Sequence, residues 1–149
     1  MNASGSIRIA GLLAAAALLA SCAGLARQDA AQAARYNAYA GQPVDHFTWM
    51  IQHRGWAAIS GNQLIAWSDS NKPYLITVAQ PCPNLWMDAN GITSTLDEVH
   101  ARTNYVLAAG RHCVIQTIQP IDYQQMQRDL QQRQADAERK TRDSRARDE

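Results

Sequence analysis

The sequence carries almost no excess of charge of either sign. It has 14 lysine and arginine residues against 13 aspartate and glutamate residues, a formal net charge of +1 at pH 7. Removal of residues 1–21, which the N-terminal pattern predicts, takes away Arg8 and leaves 14 − 1 = 13 basic residues against 13 acidic ones. A nucleic-acid-binding protein needs lysines and arginines that neutralise a row of phosphates. The charge balance therefore argues against nucleic acid as a partner.

Short motifs for metal, phosphate or nucleophilic chemistry are also missing. The chain has no Cys-x-x-Cys, zinc-finger spacing, Cys-x-x-Cys-His, His-Glu-x-x-His, Gly-x-Ser-x-Gly or phosphate-binding glycine loop. We therefore predict that the protein is not an enzyme and that it holds no cofactor or metal.

The N-terminus has the pattern of a bacterial export signal. Residues 1–8 are polar with one positive charge, and residues 9–20 form an unbroken apolar stretch. This stretch is shorter than the roughly 20 residues that a membrane-spanning helix needs. It ends in Leu19-Ala20-Ser21-Cys22, which resembles the lipobox, a cleavage site before a cysteine that becomes the new N-terminus. Residues 1–21 are therefore predicted to be a lipoprotein signal peptide, and Cys22 the lipidated residue.

Acyl chains on Cys22 define the predicted location. Each buried methylene adds about 0.8 kcal/mol of membrane affinity, so one chain binds marginally whereas two or more, such as palmitate, anchor stably. Residue 23 is alanine rather than aspartate, and lipoproteins of that kind are commonly sorted to the outer membrane of Gram-negative cells. We predict a lipid-anchored outer-membrane protein that faces the periplasm. The alternatives are a secreted protein with an incidental Cys22 and a buried apolar helix.

The three cysteines fit this location. Lipidation of Cys22 leaves Cys82 and Cys113, an even pair in an exported, disulfide-permissive compartment. A bond between them closes a loop of about 30 residues and contributes about 3 to 4 kcal/mol by chain entropy. We predict a structural disulfide, and redox or metal chemistry of the two cysteines is the alternative.

The composition divides the mature chain into three segments. Residues 22–44 hold the lipidated cysteine and an alanine-rich tether, with a marginal helix over residues 25–39. Residues 45–122 form the predicted β domain. Residues 123–149 form a charged helical or disordered tail.

Short runs rich in tryptophan, isoleucine, valine and tyrosine, separated by turn residues, predict antiparallel strands. These strands cover residues 56–59, 64–67, 74–79, 92–95, 98–102, 105–108 and 112–118. Gly61-Asn62 is predicted to supply the positive φ of the first hairpin, and Ala109-Gly110 turns into the last strand. Helices long enough for parallel crossovers are missing between the strands. The predicted fold class is mainly β, a small antiparallel barrel or sandwich of about six to seven strands with a C-terminal helix.

Helical signals occur at two places. Residues 83–89, which begin at the second proline of Pro81-Cys82-Pro83, are predicted to form a short helical turn or a loop that buries Leu85 and Trp86. Asp122 is a predicted N-cap, with apolar residues following on one helical face. Acidic residues precede basic ones by four positions and are expected to form ion pairs along the tail. These pairs are Asp129 with Arg133, Asp136 with Lys140, and Glu138 with Arg142.

A family resemblance rests on features between about residues 47 and 122. They are Trp56, Leu64-Ile65-Ala66-Trp67, Tyr74-Leu75-Ile76, Cys82-x-x-Leu85 and Cys113-x-Ile115-x-x-Ile118-x-Pro120. With them the chain resembles a proteobacterial family of small lipoproteins of unknown function. The resemblance implies a lipoprotein with a paired-cysteine β domain and brings no known activity. Relatives often carry an aspartate shortly after an arginine where this chain has Arg102-Thr103-Asn104, and this departure weakens a catalytic role at that position.

One polar face is a candidate site. Glu98, His100 and Arg102 alternate along a predicted strand and are expected to share a face, with Val99 and Ala101 on the other. A carboxylate, an imidazole and a guanidinium side by side suit acid–base chemistry or anion binding. The alternative, which we favour, is a solvated sheet face.

The remaining histidines and the aromatic residues have their own alternatives. The histidines have no diagnostic spacing for a metal site, and they are His46, His53, His100 and His112. Most of five aromatic residues are expected to fill the core rather than to form a face for sugar or peptide binding. They are Trp49, Trp56, Trp67, Tyr74 and Trp86.

The sequence therefore predicts a non-enzymatic envelope lipoprotein whose β domain binds a protein, peptidoglycan or a small ligand. Two alternatives remain. One is a small periplasmic enzyme that uses Glu98, His100 or Arg102, and the other is a metal-handling protein that uses the histidines.

Overall fold

The computed structural model describes residues 30–49, 55–83 and 85–148 of the chain. The predicted signal peptide, Cys22 and His53 lie outside these residues. The elements are α1 (residues 30–38), β1 (His46–Thr48), β2 (Gly55–Ala58), β3 (Gln63–Asp69), β4 (Lys72–Val78), α2 (Leu85–Asp88), β5 (Ala89–Ile92), β6 (Glu98–His100), β7 (Tyr105–Ala108), β8 (Arg111–Pro120) and α3 (Tyr123–Asp148).

Two antiparallel sheets form the body of the protein. Six strands in the order β2-β3-β4-β8-β7-β5 make a nearly closed barrel, and β1 pairs with β6 in a separate two-stranded ribbon. The meander of β2, β3 and β4 follows the sequence, whereas β4 pairs with β8 across a long connection. The predicted fold class is confirmed, with eight strands in the described residues.

The two predicted turns have different outcomes. Ala109 and Gly110 have φ values of 50° and 73°, so the tight turn between β7 and β8 is confirmed. The prediction of positive φ at Gly61 and Asn62 is wrong, because neither residue has it. The backbone N–H groups of Ile59 and Ser60 instead donate to the carbonyl of Gln63 at 3.0 and 3.2 Å. This hairpin therefore turns through a longer loop that needs no left-handed residue.

Alternation along β3 and β4 buries apolar side chains on both faces of the sheet. Leu64 and Ala66 face the barrel interior, whose buried side chains are the inner core. Ile65 between them faces a second apolar cluster on the outside of the sheet, the outer cluster. Ile76 and Leu75 divide in the same way on β4. These central strands are therefore covered from inside and outside, which explains their unbroken apolar sequence.

The disulfide between Cys82 and Cys113 is confirmed. Their Cα atoms are 5.6 Å apart, and both cysteines lie in the inner core at 2% and 4% exposure. The bond fastens the segment after β4 to β8. Leu85 on α2 is fully buried beside it. Trp86 is 46% exposed, so its predicted burial is wrong, since the single turn of α2 directs adjacent side chains to different sides.

The outer cluster is covered by the N-terminal helix and the residues after it, which the predicted domain leaves out. Ala33, Tyr36 and Tyr39 of the N-terminal segment pack against Ile59, Ile65, Leu75 and Ile121. Ala40 then forms an antiparallel bridge with Ile121. Residues that the sequence assigned to the tether thus lie against the barrel.

Helix α3 begins as predicted. The carboxylate of Asp122 accepts a hydrogen bond from the N–H of Gln125 at 3.0 Å, as expected of an N-cap, and Met126 is buried. From residue 131 to residue 147 every side chain is exposed. None of the three predicted ion pairs closes within the described part of α3, where Arg139 instead lies 4.0 Å from Asp136. No helix among the described residues is long and apolar enough to cross a membrane.

Candidate functional site

The two-stranded ribbon positions the polar residues that the sequence singled out. In β1 and β6, His46 lies opposite His100, Phe47 opposite Val99, and Thr48 opposite Glu98. Phe47 and Val99 are buried in the inner core. Because successive side chains of a strand point to opposite faces, His46, Glu98 and His100 share the outer face of the ribbon.

The Glu98 carboxylate lies between the two imidazoles. Nε2 of His100 is 3.0 Å from Oε2 of Glu98, and Nε2 of His46 is 3.9 Å from Oε1. The two rings stack with centroids 5.1 Å apart and planes 26° apart. The three side chains are 36% to 50% exposed, so water reaches all of them.

Arg102 does not join this cluster. Strand β6 ends at His100, and Arg102 has a φ of 67°, so strand alternation stops before it. Its guanidinium donates to Oδ1 of Asp45 at 2.9 Å, and both side chains are more than 70% exposed. The prediction of one face shared by Glu98, His100 and Arg102 is therefore correct for the first two residues and wrong for the third.

Asn104 holds the turn after β6 in place. It is the buried polar residue of the described chain, at 5% exposure. Its side-chain oxygen accepts from the N–H of His100 at 2.7 Å, and its amide nitrogen donates to Oγ1 of Thr93 at 3.3 Å. Its backbone carbonyl accepts from the N–H of Ile115 at 3.0 Å. Asn104 thus has a structural role, because its side chain and its carbonyl join β6, β8 and the segment around Thr93.

A carboxylate between two imidazoles is an arrangement that acid–base chemistry or the binding of a polar partner can use. The sequence missed His46 and Asp45 as partners of Glu98 and Arg102. The signal was the adjacency of Asp45 and His46, but a pairing across more than 50 residues cannot be read from local periodicity.

The other histidines lie elsewhere or outside the described residues. His112 stacks on Tyr105 with ring centroids 4.6 Å apart and planes 10° apart. Within the part of the chain that the structure describes, no group of three histidine, cysteine, aspartate or glutamate side chains is arranged to hold a metal ion. The metal-handling alternative therefore gains no support from these residues.

Aromatic residues mostly pack rather than form a surface. Trp49 is 3% exposed, and its indole N–H donates to the carbonyl of Trp67 at 3.1 Å. Trp56 and Tyr74 pack against the inner core, where Tyr74 stacks on Phe47. Trp86 is the tryptophan with nearly half of its surface exposed, so the four tryptophans do not make a continuous binding face.

A hydrogen bond joins Tyr39, directly after α1, to Asp129 of α3. The Tyr39 hydroxyl donates to Oδ2 of Asp129 at 2.6 Å, and Arg133 donates to the Tyr39 oxygen at 3.4 Å. This hydrogen bond raises the pKa of Tyr39 and lowers the pKa of Asp129. A cleft of about 400 Å³ lies between α1 and α3 here and is lined by alanines and arginines. They are Ala31, Ala34, Arg35, Ala38 and Arg133, together with Tyr39.

The fold and the polar ribbon define a small antiparallel β-barrel protein with one disulfide, flanked by helices. Residues 6–138 match the family of unknown function DUF6491. Because the match covers most of the chain, the protein belongs to this family. No curated protein and no solved structure matches the chain significantly. The predicted membership in a family of unknown function is confirmed, and the lipoprotein character of the chain stays a prediction.

Proposed function

We propose that this protein is a lipoprotein of the bacterial cell envelope, anchored to the outer membrane through acyl chains on Cys22. Its barrel serves as a non-enzymatic binding or structural module that faces the periplasm. The partner is an envelope protein, peptidoglycan or a small ligand.

The Cys82–Cys113 disulfide is the observation that carries this proposal. Disulfides persist in oxidising compartments such as the periplasm and are rare in the cytosol. With these two cysteines joined, Cys22 is the remaining cysteine of the three in the sequence. It stands directly after an apolar run and a small-residue cleavage pattern, where a signal peptidase and an acyltransferase act on exported chains.

The extent of the family match adds support. The match begins at residue 6 and so includes the apolar run and Cys22 with the barrel. A leader that belongs to the same family unit as the barrel fits a protein whose export is part of its role.

The exposure of the polar ribbon favours binding over catalysis. Enzymes act in sites that exclude water and fix the reacting groups. Glu98, His100 and His46 instead lie on an open surface, and Arg102 points to Asp45 rather than to this cluster. A solvated face of this kind suits contact with a partner surface.

Fractionation of bacterial membranes tests the anchor. The wild-type protein and the neighbouring Ser21→Ala variant, which keeps a small residue before the cysteine, are expected in the outer-membrane fraction. The Cys22→Ser variant is expected to be missing from it. Equal amounts of all three proteins in that fraction would contradict the anchor.

Crosslinking in intact cells tests the binding role. Defined partners are expected to copurify with the acylated protein, and His100→Ala, on the face proposed to contact a partner, is expected to capture less of them. A product-forming reaction that His100→Ala abolishes would instead favour the enzyme. Recovery of the protein without any crosslinked protein or glycan would contradict the two macromolecular versions of the proposal.

A further inference from the structure

The turn that leads into β6 carries the most exposed large apolar side chain of the described residues. Leu96 is 94% exposed, whereas Met87, the next in this group, is 75% exposed. Leu96 and Asp97 form a two-residue turn between Thr95 and Glu98, which are paired as an antiparallel bridge. This four-residue unit, residues 95–98, is hereafter the leucine turn.

The backbone of the leucine turn is unfavourable for its sequence. Leu96 has a φ of 53° and Asp97 a φ of 61°, the left-handed values that two-residue hairpin turns adopt and that Asn-Gly adopts most readily. Aspartate tolerates this region, but leucine rarely occupies it. A polar residue at position 96 would avoid both the backbone cost and the cost of an apolar side chain in water. The folding of one molecule therefore does not account for Leu96.

Hydrogen bonds hold the leucine turn in this conformation. The N–H of Thr95 donates to the carbonyl of Glu98 at 2.8 Å, and the N–H of Glu98 donates to the carbonyl of Thr95 at 3.0 Å. The N–H of Trp49 donates to the carbonyl of Asp97 at 2.6 Å, and Trp49 is itself 3% exposed. Leu96 is therefore presented to solvent on a fixed support, which is what an apolar anchor of an interface requires.

The cleft between α1 and α3 is a concave surface that suits such an anchor. Its volume of about 400 Å³ falls within the range of about 300 to 1,000 Å³ that binding pockets occupy. On α1 it is lined by Ala31, Ala34 and Ala38, and all three are exposed. Because these side chains end at the β carbon, they leave apolar space that a leucine side chain can fill and remove from water.

Two arginines make the cleft basic. Arg35 lines it and forms no hydrogen bond or ion pair with another described residue. Arg133 lines it from α3 and donates to the Tyr39 oxygen at 3.4 Å. The neighbouring carboxylate of Asp129 already accepts hydrogen bonds from Tyr39 and Gln125. The cleft therefore suits a ligand that combines an apolar group with negative charge.

The leucine turn has this combination. Asp97 and Glu98 follow Leu96 directly, and residues 89–101 contain no lysine or arginine. Asp97 is exposed, and Glu98 is 40% exposed beside the imidazoles of His46 and His100. An apolar centre with charged groups around it is the usual composition of a protein interface.

We infer that the leucine turn of one molecule binds the cleft between α1 and α3 of a second copy of this chain. Leu96 is buried against the alanines of α1, and the acidic turn faces Arg35 and Arg133. At 94% exposure Leu96 does not occupy the cleft of its own molecule, so the contact joins two molecules. Reciprocal contacts close a dimer, and one-sided contacts extend into a chain of molecules. The inference names a partner for the binding module and does not depend on the lipid anchor.

A membrane matches the leucine turn less well than this cleft does. A single leucine adds little to the affinity that acyl chains supply, because stable anchoring takes two chains of many methylenes each. The negative surface potential of anionic phospholipids repels the carboxylates of Asp97 and Glu98. The two arginines of the cleft attract the same carboxylates.

Disulfide crosslinking between two copies tests the contact. Full-length Leu96→Cys and Ala34→Cys chains with different affinity tags are produced in the same cells, purified in detergent and treated with a mild oxidant. A linked pair that carries both tags is expected at a yield about tenfold above that of wild-type chains, because a disulfide needs Cα atoms within about 7 Å. Met87→Cys with Ala34→Cys is the matched control, since Met87 is exposed on α2, and its yield is expected to equal that of wild-type chains.

Sedimentation equilibrium of the full chain in density-matched detergent measures the dissociation constant of self-association. Leu96→Asn is expected to raise this constant by about tenfold or more, because the buried leucine is lost. Its midpoint of thermal unfolding is expected to stay equal or to rise, because asparagine accepts a positive φ. Ala34→Trp, which fills the cleft, is expected to raise the constant as well. The matched Ala135→Trp lies two positions after Arg133, roughly 200° around α3, and is expected to leave it unchanged.

Several results would overturn the inference. They are a wild-type protein that sediments as a monomer at every concentration, equal crosslinking yields for Leu96→Cys and Met87→Cys, and a dissociation constant that Leu96→Asn or Ala34→Trp leaves unchanged. Binding of a monomeric protein to phospholipid vesicles that Leu96→Asn abolishes would assign the leucine turn to the membrane instead. The acyl mass on Cys22 is measured on the same protein, so failure of the anchor and failure of this contact are distinguishable.

Discussion

The hydroxyl of Tyr39 donates a 2.6 Å hydrogen bond to the carboxylate of Asp129, 90 residues further along the chain. Arg133 donates to the Tyr39 oxygen, and Gln125 donates to the second oxygen of Asp129 at 2.7 Å. Together these bonds fasten the segment that follows the predicted lipid anchor to the C-terminal helix.

The pH dependence of this connection follows from the two pKa shifts. The pKa of Asp129 is lowered on folding, chiefly by the hydrogen bond from Tyr39, so its contribution is present above the ordinary aspartate pKa of about 3.9 and is lost as pH falls through the lowered value. The pKa of Tyr39 is raised, chiefly by the same bond, so its contribution is present below about pH 10 and is lost as pH rises through the raised value.

Tyr39→Phe is accordingly expected to lower the free energy of unfolding at neutral pH and to remove this dependence at both extremes. Urea unfolding from acid to alkaline pH measures it, with Asp129→Asn and the double variant completing a cycle. The double variant is expected to lose less free energy of unfolding than the sum of the losses of the two single variants. Purely additive effects would contradict a direct bond.

Asn104→Ala is expected to destabilise the protein by about 1 to 3 kcal/mol, because it leaves the part-buried N–H of His100 without its acceptor. Chemical denaturation measures the change. Asn71→Ala, at an exposed turn position, is the matched control and is expected to stay within about 0.5 kcal/mol. Similar effects of the two substitutions would mean that Asn104 does not hold the turn.

Replacement of both cysteines, Cys82→Ala with Cys113→Ala, is expected to cost about 3 to 4 kcal/mol, because the open loop regains chain entropy in the unfolded state. The sequence separation of 31 residues sets this estimate. Guanidinium unfolding under oxidising conditions measures it. An unchanged free energy of unfolding in the double variant would contradict a stabilising bond. A wild-type protein that keeps its free energy of unfolding in reductant would contradict it as well.

Removal of residues 134–149 is expected to leave the free energy of unfolding within about 0.5 kcal/mol, because α3 is exposed beyond residue 130. Met126→Ala, at 3% exposure, is expected to cost about 2 to 4 kcal/mol. Thermal unfolding distinguishes the two. A large loss on truncation would show that the exposed part of α3 has contacts with the barrel.

Much of the barrel could be predicted from local patterns, since strand alternation and turn chemistry act over a few residues. Leu64, Ile65 and Ala66 mark β3, and Ala109-Gly110 marks the last turn, as predicted. The strand predicted at residues 92–95 lies instead at Ala89–Ile92. There the pairing with β7, rather than the residues themselves, sets the limits of the strand.

Long-range contacts explain what the sequence could not provide. Strand β1 is only three residues long and carries too little pattern to be recognised, although it supplies His46 to the candidate site. The docking of α1 depends on Tyr36 and Tyr39, whose apolar partners are spread over two strands and two connecting segments. Trp86 and Arg102 were misplaced because a single helical turn and one left-handed residue change the direction of a side chain.

Intact mass spectrometry of the detergent-extracted protein from bacterial membranes tests the central claim, that Cys22 is an acylated N-terminus. The account predicts a chain that starts at residue 22 and carries the added mass of about two or three acyl chains. A chain that still begins at Met1, or one that begins at residue 22 without acyl mass, would contradict it.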